Sequence, residues 1–162
     1  MPAHRARLAA SLIAASILGF DQMTKAIIVA ILGPAQQESR IELAADWLTL
    51  EYAENRGAVF GLFQGLAQIL AVTSIAVTIA LLVHFLRTHR PPLWHTVAIG
   101  AIAGGAIGNL VDRLRLGYVV DFVSVGSWPN FNLADSAVTI GVLLLAWGWT
   151  RPTNATSSMI PG

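Results

Sequence analysis

The sequence predicts an all-α membrane fold: four transmembrane helices with a small sheet outside the bilayer. Three observations lead there. Only 12% of the residues are charged and 55% are hydrophobic, with a mean hydropathy of +0.64, whereas a soluble domain carries about 25% charged residues. Four stretches approach the roughly 20 apolar residues that cross a bilayer. More than half of the acidic side chains fall in the one link between the first two stretches. The 162 residues allow one compact domain, taken here as residues 1–151.

The first span covers residues 8–32. His4, Arg5 and Arg7 precede its apolar run, as in a secretory signal peptide, but the apolar character resumes after Asp21-Gln-Met-Thr-Lys25 and makes the segment long enough to cross. The link 33–66 follows. In it Trp47-Leu-Thr-Leu-Glu-Tyr52 alternates apolar and polar residues as a half-buried strand does. Asn55-Arg-Gly57 supplies a turn, and Ala58-Val-Phe-Gly-Leu-Phe63 reads as a returning strand. A small sheet over about 44–63 is expected on the outer surface, where Trp47, Tyr52, Phe60 and Phe63 suit the membrane interface. Spans over 67–86, 94–110 and 133–149 complete the four. The tail 152–162 is polar and reads as disordered.

Arg5, Arg7, Arg87, Arg90 and Arg151 place both termini and the second link on the cytoplasmic side. There is no cysteine, which excludes disulfides, thiolate zinc sites and cysteine nucleophiles. No basic run with interleaved aromatics points to nucleic acid.

Polar residues near lipid are expensive, so each needs a reason. Asp21 and Lys25 share a helix face and neutralise each other, the pattern of a structural ion pair. Gly100, Gly104 and Gly108 form a small-residue stripe for close helix approach, with Gly105, Asn109 and Arg113 alongside. Arg113 can pair with its neighbour Asp112 or anchor the loop carrying Asp121. Asn55 and Gly57 fit turn chemistry, while Asn55 equally fits a hydrogen bond to substrate or intermediate. Asp121 and Asp135 flank a short loop and should lie at similar depth near the outer face. They read either as a loop residue and a helix cap, with Asn132 as an alternative cap, or as two carboxylates sharing a proton.

Five segments in order decide between these readings: Asp21-Gln-Met-Thr-Lys25, Glu54-Asn-Arg-Gly-Ala-Val-Phe-Gly61, Gly104-Gly-Ala-Ile-Gly-Asn-Leu-Val-Asp-Arg113, Val119-Val-Asp-Phe122 and Phe131-Asn-Leu-Ala-Asp-Ser136. Together they closely resemble bacterial lipoprotein signal peptidase, also called signal peptidase II. The resemblance implies four membrane helices with a small periplasmic sheet, or cradle, between helices 1 and 2. It implies a multi-pass protein of the bacterial cytoplasmic (inner) membrane with the active site toward the periplasmic face. The implied reaction is aspartyl endopeptidase cleavage of diacylglyceryl-modified prolipoproteins before the lipidated cysteine. No metal or other cofactor is implied. Asp121 and Asp135 take the catalytic positions. Asn55, Gly57, Gly108, Asn109, Asp112, Arg113, Asn132 and Ala134 fall at the surrounding polar and small positions, with Asp21 and Lys25 as a structural pair. Membrane lipid and globomycin-type inhibitors are the further implied partners. Val59 departs from the family, where a second alanine is common, and leaves the pair untouched.

Two rivals are weaker. A small transporter or proton-relay subunit would need acidic groups near the midplane and usually an internal repeat, and none is visible. A serine protease would need a histidine near an outer-face serine, whereas His84, His89 and His95 gather at the cytoplasmic link.

Overall fold

The computed structural model describes residues 1–36, 40–45, 47–57 and 64–150. Four helices and one four-stranded sheet follow in the order α1 (Ala3–Leu32), β1 (Arg40–Ala44), β2 (Leu48–Asn55), α2 (Gln64–Arg87), α3 (Leu93–Leu116), β3 (Val119–Val125), β4 (Trp128–Phe131) and α4 (Leu133–Trp149). The helix ends follow local chemistry. α1 begins after Pro2 and stops at Gly33, whose N–H closes on the Val29 carbonyl. α3 begins after Pro92 and ends at Gly117, whose φ of +81° is the left-handed cap glycine accepts without strain.

α3 is the central helix and packs against both α1 and α4. Its buried face is built from small residues, among them Ala98, Gly100, Ala101, Gly104, Gly105 and Gly108. One apolar core gathers Ala6, Ala10, Phe85, Ala98, Ile99, Ile102 and Leu145. A second joins Ile28 and Leu32 of α1 to Phe122 of β3 and so fastens the sheet to the bundle. α1 and α3 are long and apolar enough to cross a membrane; the described apolar part of α2 and the whole of α4 are shorter. α1 turns large apolar side chains outward, including Leu8, Leu12, Phe20, Met23, Ile27 and Ile31.

The sheet corrects the sequence-based expectation. It is antiparallel with order β1-β2-β3-β4, and half of its strands come from the link between α3 and α4. Residues 119–131, expected as a loop flanking the third span, instead form a hairpin. Val119 and Val120 are β-branched and fully buried, and Gly117 and Gly126 punctuate the run with left-handed backbone. Asp121 is therefore a strand residue, paired in register with Ala53 of β2. β1 also begins earlier than the expected sheet, and α3 runs past residue 110 to Leu116. The returning strand expected over 58–63, with Phe60, Phe63 and the divergent Val59, lies outside the described residues, as do Asp46, Glu38 and the tail.

Candidate active site

The site is assembled where the end of α3, the start of α4 and strand β3 meet. Asn132 sits at their junction and is fully buried. It caps α4: its Oδ1 accepts from the Asp135 N–H at 2.9 Å, and Asp135 Oδ2 accepts from the Asn132 N–H at 3.2 Å. This capping box holds Asp135 in the first turn of α4, where the helix dipole favours a carboxylate. The Asn132 amide then reaches across to β3 and donates to Asp121 Oδ1 at 2.7 Å. One residue thus fixes both aspartates.

Asp121 is 2% exposed. Its second oxygen accepts from Asn55 Nδ2 at 2.9 Å. Asn55 Oδ1 in turn accepts from the Gly57 N–H at 2.8 Å, in a turn that gives Gly57 a φ of +75°. The side chain makes the expected turn with its oxygen and donates to Asp121 with its nitrogen. Burial pushes the Asp121 carboxyl up from 3.8 to about 6, against the hydrogen bond from Asn55; the nearby charge of Asp135 adds to the rise, while Asn132 and Lys25 oppose it.

A second layer lies behind the pair. Asn109 Nδ2 donates to Asp135 Oδ1 at 2.8 Å. Asn109 Oδ1 accepts from Lys25 Nζ at 2.9 Å and from Asn132 at 3.1 Å, which fixes the orientation of its amide. Lys25 spends its other two donors on Asp21 and Asp112, each at 2.8 Å. Both acids also hold backbone, Asp21 through the oxygen that Lys25 leaves free and Asp112 through the same oxygen that Lys25 meets. Asp21 accepts from the Ala134 N–H at 3.0 Å, and Asp112 from the Val120 N–H at 3.2 Å. Ala134 and Val120 immediately precede Asp135 and Asp121, so each buried acid pins the chain one residue before a member of the pair.

One expectation is revised here and one is extended. Asp112 pairs with Lys25 and not with Arg113, whose guanidinium donates to the Asn109 carbonyl one turn back. The Asp21–Lys25 pair is not isolated, since it joins Asp112 and, through Asn109, reaches Asp135. Gln22 is a participant that sequence reasoning missed. It donates to Asp112 at 2.9 Å, and its place beside Asp21 in an apolar helix was the available signal. Gly108 is small for a specific reason: a Cβ there would lie 2.6 Å from Asp21 Oδ2.

A cleft of about 560 Å³ opens onto Asp135 between α2, α3 and α4, with Asn55, Arg113 and Asp135 among polar walls and Leu81, Ile102 and Val142 among apolar ones. A second, of about 390 Å³, reaches Asp135 from the side of Trp128, Phe131 and Ile140. Among the described residues, no three His, Asp or Glu side chains converge as metal ligands.

The family model described as signal peptidase (SPase) II matches residues 13–151 of the chain. The chain is 42% identical over 125 residues to the lipoprotein signal peptidase of Syntrophomonas wolfei, covering 77% of this chain and 81% of that protein. It is 38% identical over 143 residues to the lipoprotein signal peptidase of Moorella thermoacetica, covering 87% and 92%. Its fold is similar to a bacterial membrane enzyme solved by the in meso method at 1.9 Å resolution, with a TM-score of 0.76, 34% identity, and coverage of 89% of this chain and 94% of that one.

Proposed function

The chain belongs to the signal peptidase II family, and from that premise we propose that Asp121 and Asp135 are the catalytic pair of an intramembrane aspartyl endopeptidase that removes signal peptides from diacylglyceryl-modified prolipoproteins. The observation that carries the assignment is Asn132, which caps α4 around Asp135 while donating to Asp121. Two carboxyls on separate elements are thereby held around one buried amide.

The chemistry follows from their unequal surroundings. Asp121 is the more buried and has the raised proton affinity, so in the protonated form of the pair that enters the reaction it is the one that holds the proton. Asp135 lies in the first turn of α4, where the helix dipole favours a carboxylate, and it faces both clefts, so it serves as the base. A water between them loses a proton to Asp135 as its oxygen attacks the scissile carbonyl carbon. Asp121 donates its proton to the carbonyl oxygen, and a gem-diol forms. The proton on Asp135 then passes to the amide nitrogen and the C–N bond breaks. Asp121 recovers a proton from one gem-diol hydroxyl as the carbonyl reforms.

The same reading covers the rest of the molecule. Residues 1–151 form one integral membrane peptidase domain with four spans, α1 to α4, in the bacterial inner membrane. Both termini are cytoplasmic and the sheet lies on the periplasmic face as a cradle. Diacylglyceryl chains stay in lipid while the peptide enters the larger cleft, each methylene kept in hydrocarbon contributing about 0.8 kcal/mol. Globomycin-type cyclic peptides would compete for that cleft.

The test is cleavage of a lipidated prolipoprotein by purified Asp121→Asn and Asp135→Asn variants. Each should lose turnover at least 1,000-fold, on the order seen when an acid–base group is removed, while staying folded in detergent. Near-normal turnover by either variant would end the assignment.

A further inference from the structure

Around Asn55, which lines the larger cleft, four side chains close a ring outside the pair. Tyr52 and Tyr118 place their hydroxyls 2.9 Å apart. The Tyr52 hydroxyl also lies 3.1 Å from Glu54 Oε1, which it serves as donor, so the Tyr118 hydroxyl donates to Tyr52. Glu54 Oε2 takes the Arg56 guanidinium at 2.7 Å. Arg56 then lies over the Tyr118 ring, 5.2 Å from its centroid, and completes the circuit. Arg56 holds the Glu54 carboxyl below the usual carboxylate range, so the ring carries one full charge of each sign.

The ring's position matters more than its strength. Glu54 and Arg56 flank Asn55, the last residue of β2, which donates to Asp121. Tyr118 lies between the Gly117 cap of α3 and Val119, and Val119 is the strand partner of Asn55. The ring therefore ties both neighbours of Asn55 to the residue just before β3. The Arg56 side chain is 68% exposed, so an ion pair there contributes little to global stability. What it restricts is the turn on which the Asn55 amide is carried.

We propose that Tyr52, Glu54, Arg56 and Tyr118 form a clasp that positions the Asn55 amide on Asp121. They are positioning residues and touch neither carboxyl. The proposal rests on the assignment of Asp121 and Asp135 as the catalytic pair, and its test is arranged so that the two can fail separately.

Arg56→Gln and Tyr52→Phe break the ring at two points without entering the cleft. With a lipidated prolipoprotein and the full-length protein in one detergent, each should lower kcat about fivefold, as the loosening of one hydrogen bond does, with KM changed less than about twofold. In an Asn55→Ala background, neither substitution should lower the rate further, because the group they position is gone. Single-turnover measurement with enzyme in excess keeps these slow rates readable. If the double variants still turn over too slowly, the side-chain amide resonance of Asn55 decides. It should move on Arg56→Gln toward the position of a solvated amide. An unchanged kcat in both ring variants, effects that multiply with Asn55→Ala, or an unmoved Asn55 resonance would each overturn the clasp. Asp121→Asn in the same assay separates the premise: normal turnover there refutes the catalytic pair, whereas a dead Asp121→Asn beside unaffected ring variants refutes the clasp alone.

Discussion

The two halves of α3 meet their neighbours by opposite means. In the first half, Gly100 and Gly104 let α1 approach until a Cβ at either would lie 2.9 or 2.7 Å from the carbonyl oxygens of Ala10 and Ala14. What fills that contact is aliphatic: Ile13 and Ile17. In the second half, Gly108 continues the stripe, but the group that comes close is the Asp21 carboxylate. Beyond it Asn109 and Asp112 reach Lys25. Close approach is one device with two uses. At one end it brings apolar surfaces into dispersion contact. At the other it keeps water from a network of charges, which is tolerable only because every group is paired. Among the described residues no buried side-chain nitrogen or oxygen lacks a partner.

The largest test of this contrast is Lys25→Met. It leaves Asp21 and Asp112 buried without a cation, and breaking a buried pair costs about 3–5 kcal/mol. Cleavage should also vanish, because the Asn109 oxygen loses the Lys25 donor that orients its amide toward Asp135. Neutralising both acids as well, in Lys25→Met with Asp21→Asn and Asp112→Asn, should recover much of the stability and none of the activity. Chemical denaturation and the cleavage assay read the two outcomes. Full activity in the triple variant would show the network to be scaffolding only.

Next in size is the pair itself, as a matter of linkage. The Asp121 carboxyl sits at about 6 in the folded protein against 3.8 unfolded. A raised carboxyl binds its proton more tightly in the folded state, so its contribution to stability is intact below pH 4 and lost as pH rises to about 6. Above that the ionised, buried group costs about 3 kcal/mol. Asp121→Asn cannot ionise. The stability difference between the variant and the parent should therefore grow in the variant's favour from pH 4 to 6 and then level off, in the same protein that has lost cleavage. A difference independent of pH would mean that Asp121 is not held in this way.

In the apolar half the effect should be smaller and different in kind. Gly104→Val overpacks the α1–α3 contact and should cost about 1–3 kcal/mol of stability. The protein that remains folded should keep much of its cleavage, since Gly104 meets Ala14 and Ile17 and none of the polar side chains directly. A collapse of kcat without loss of stability would break the division between the halves.

How much of this was legible in the sequence differs by region for a physical reason. The apolar stretches were legible because long apolar helices write themselves as length and composition, and the small-residue stripe because its period is that of the helix. β3 and β4 were not. Val119-Val-Asp-Phe-Val123 is an apolar run beside an apolar helix, and only Gly117, Gly126 and the β-branched residues distinguished it from the edge of a span. At the site, Asp21 and Lys25 were visible as a pair because four residues on one helix is a local relation. Their link to Asp112 joins α1 to α3 and had no local signature. Arg113 looked the natural partner of Asp112 by adjacency, but neighbours along a helix do not share a face. Asn132 was legible as a cap, but its second role on Asp121 depends on the β3–β4 hairpin, which has no comparably clear local signature.

The smallest effect makes the sharpest control, because it uses the same chemistry in other surroundings. Arg40 and Glu42 pair at 2.9 Å on β1, nearly the separation at which Lys25 meets each of its acids. Distance therefore does not separate the two sites. Exposure does: the Arg40 and Glu42 side chains are 53% and 49% exposed, whereas those of Lys25 and Asp21 are 4% and 0%. In water each charge of the outer pair is already solvated, and salt screens what attraction is left. Glu42→Gln should change stability by less than about 1 kcal/mol, and raising the salt concentration should erase even that. Cleavage should be unaltered, because Glu42 neither contacts the pair nor pins the backbone beside it. The measurement is denaturation of parent and variant at low and high salt beside Lys25→Met, whose loss salt should leave nearly untouched. A loss for Glu42→Gln as large as that for Lys25→Met would show that the sheet, and not the buried network, carries the electrostatic burden of this fold.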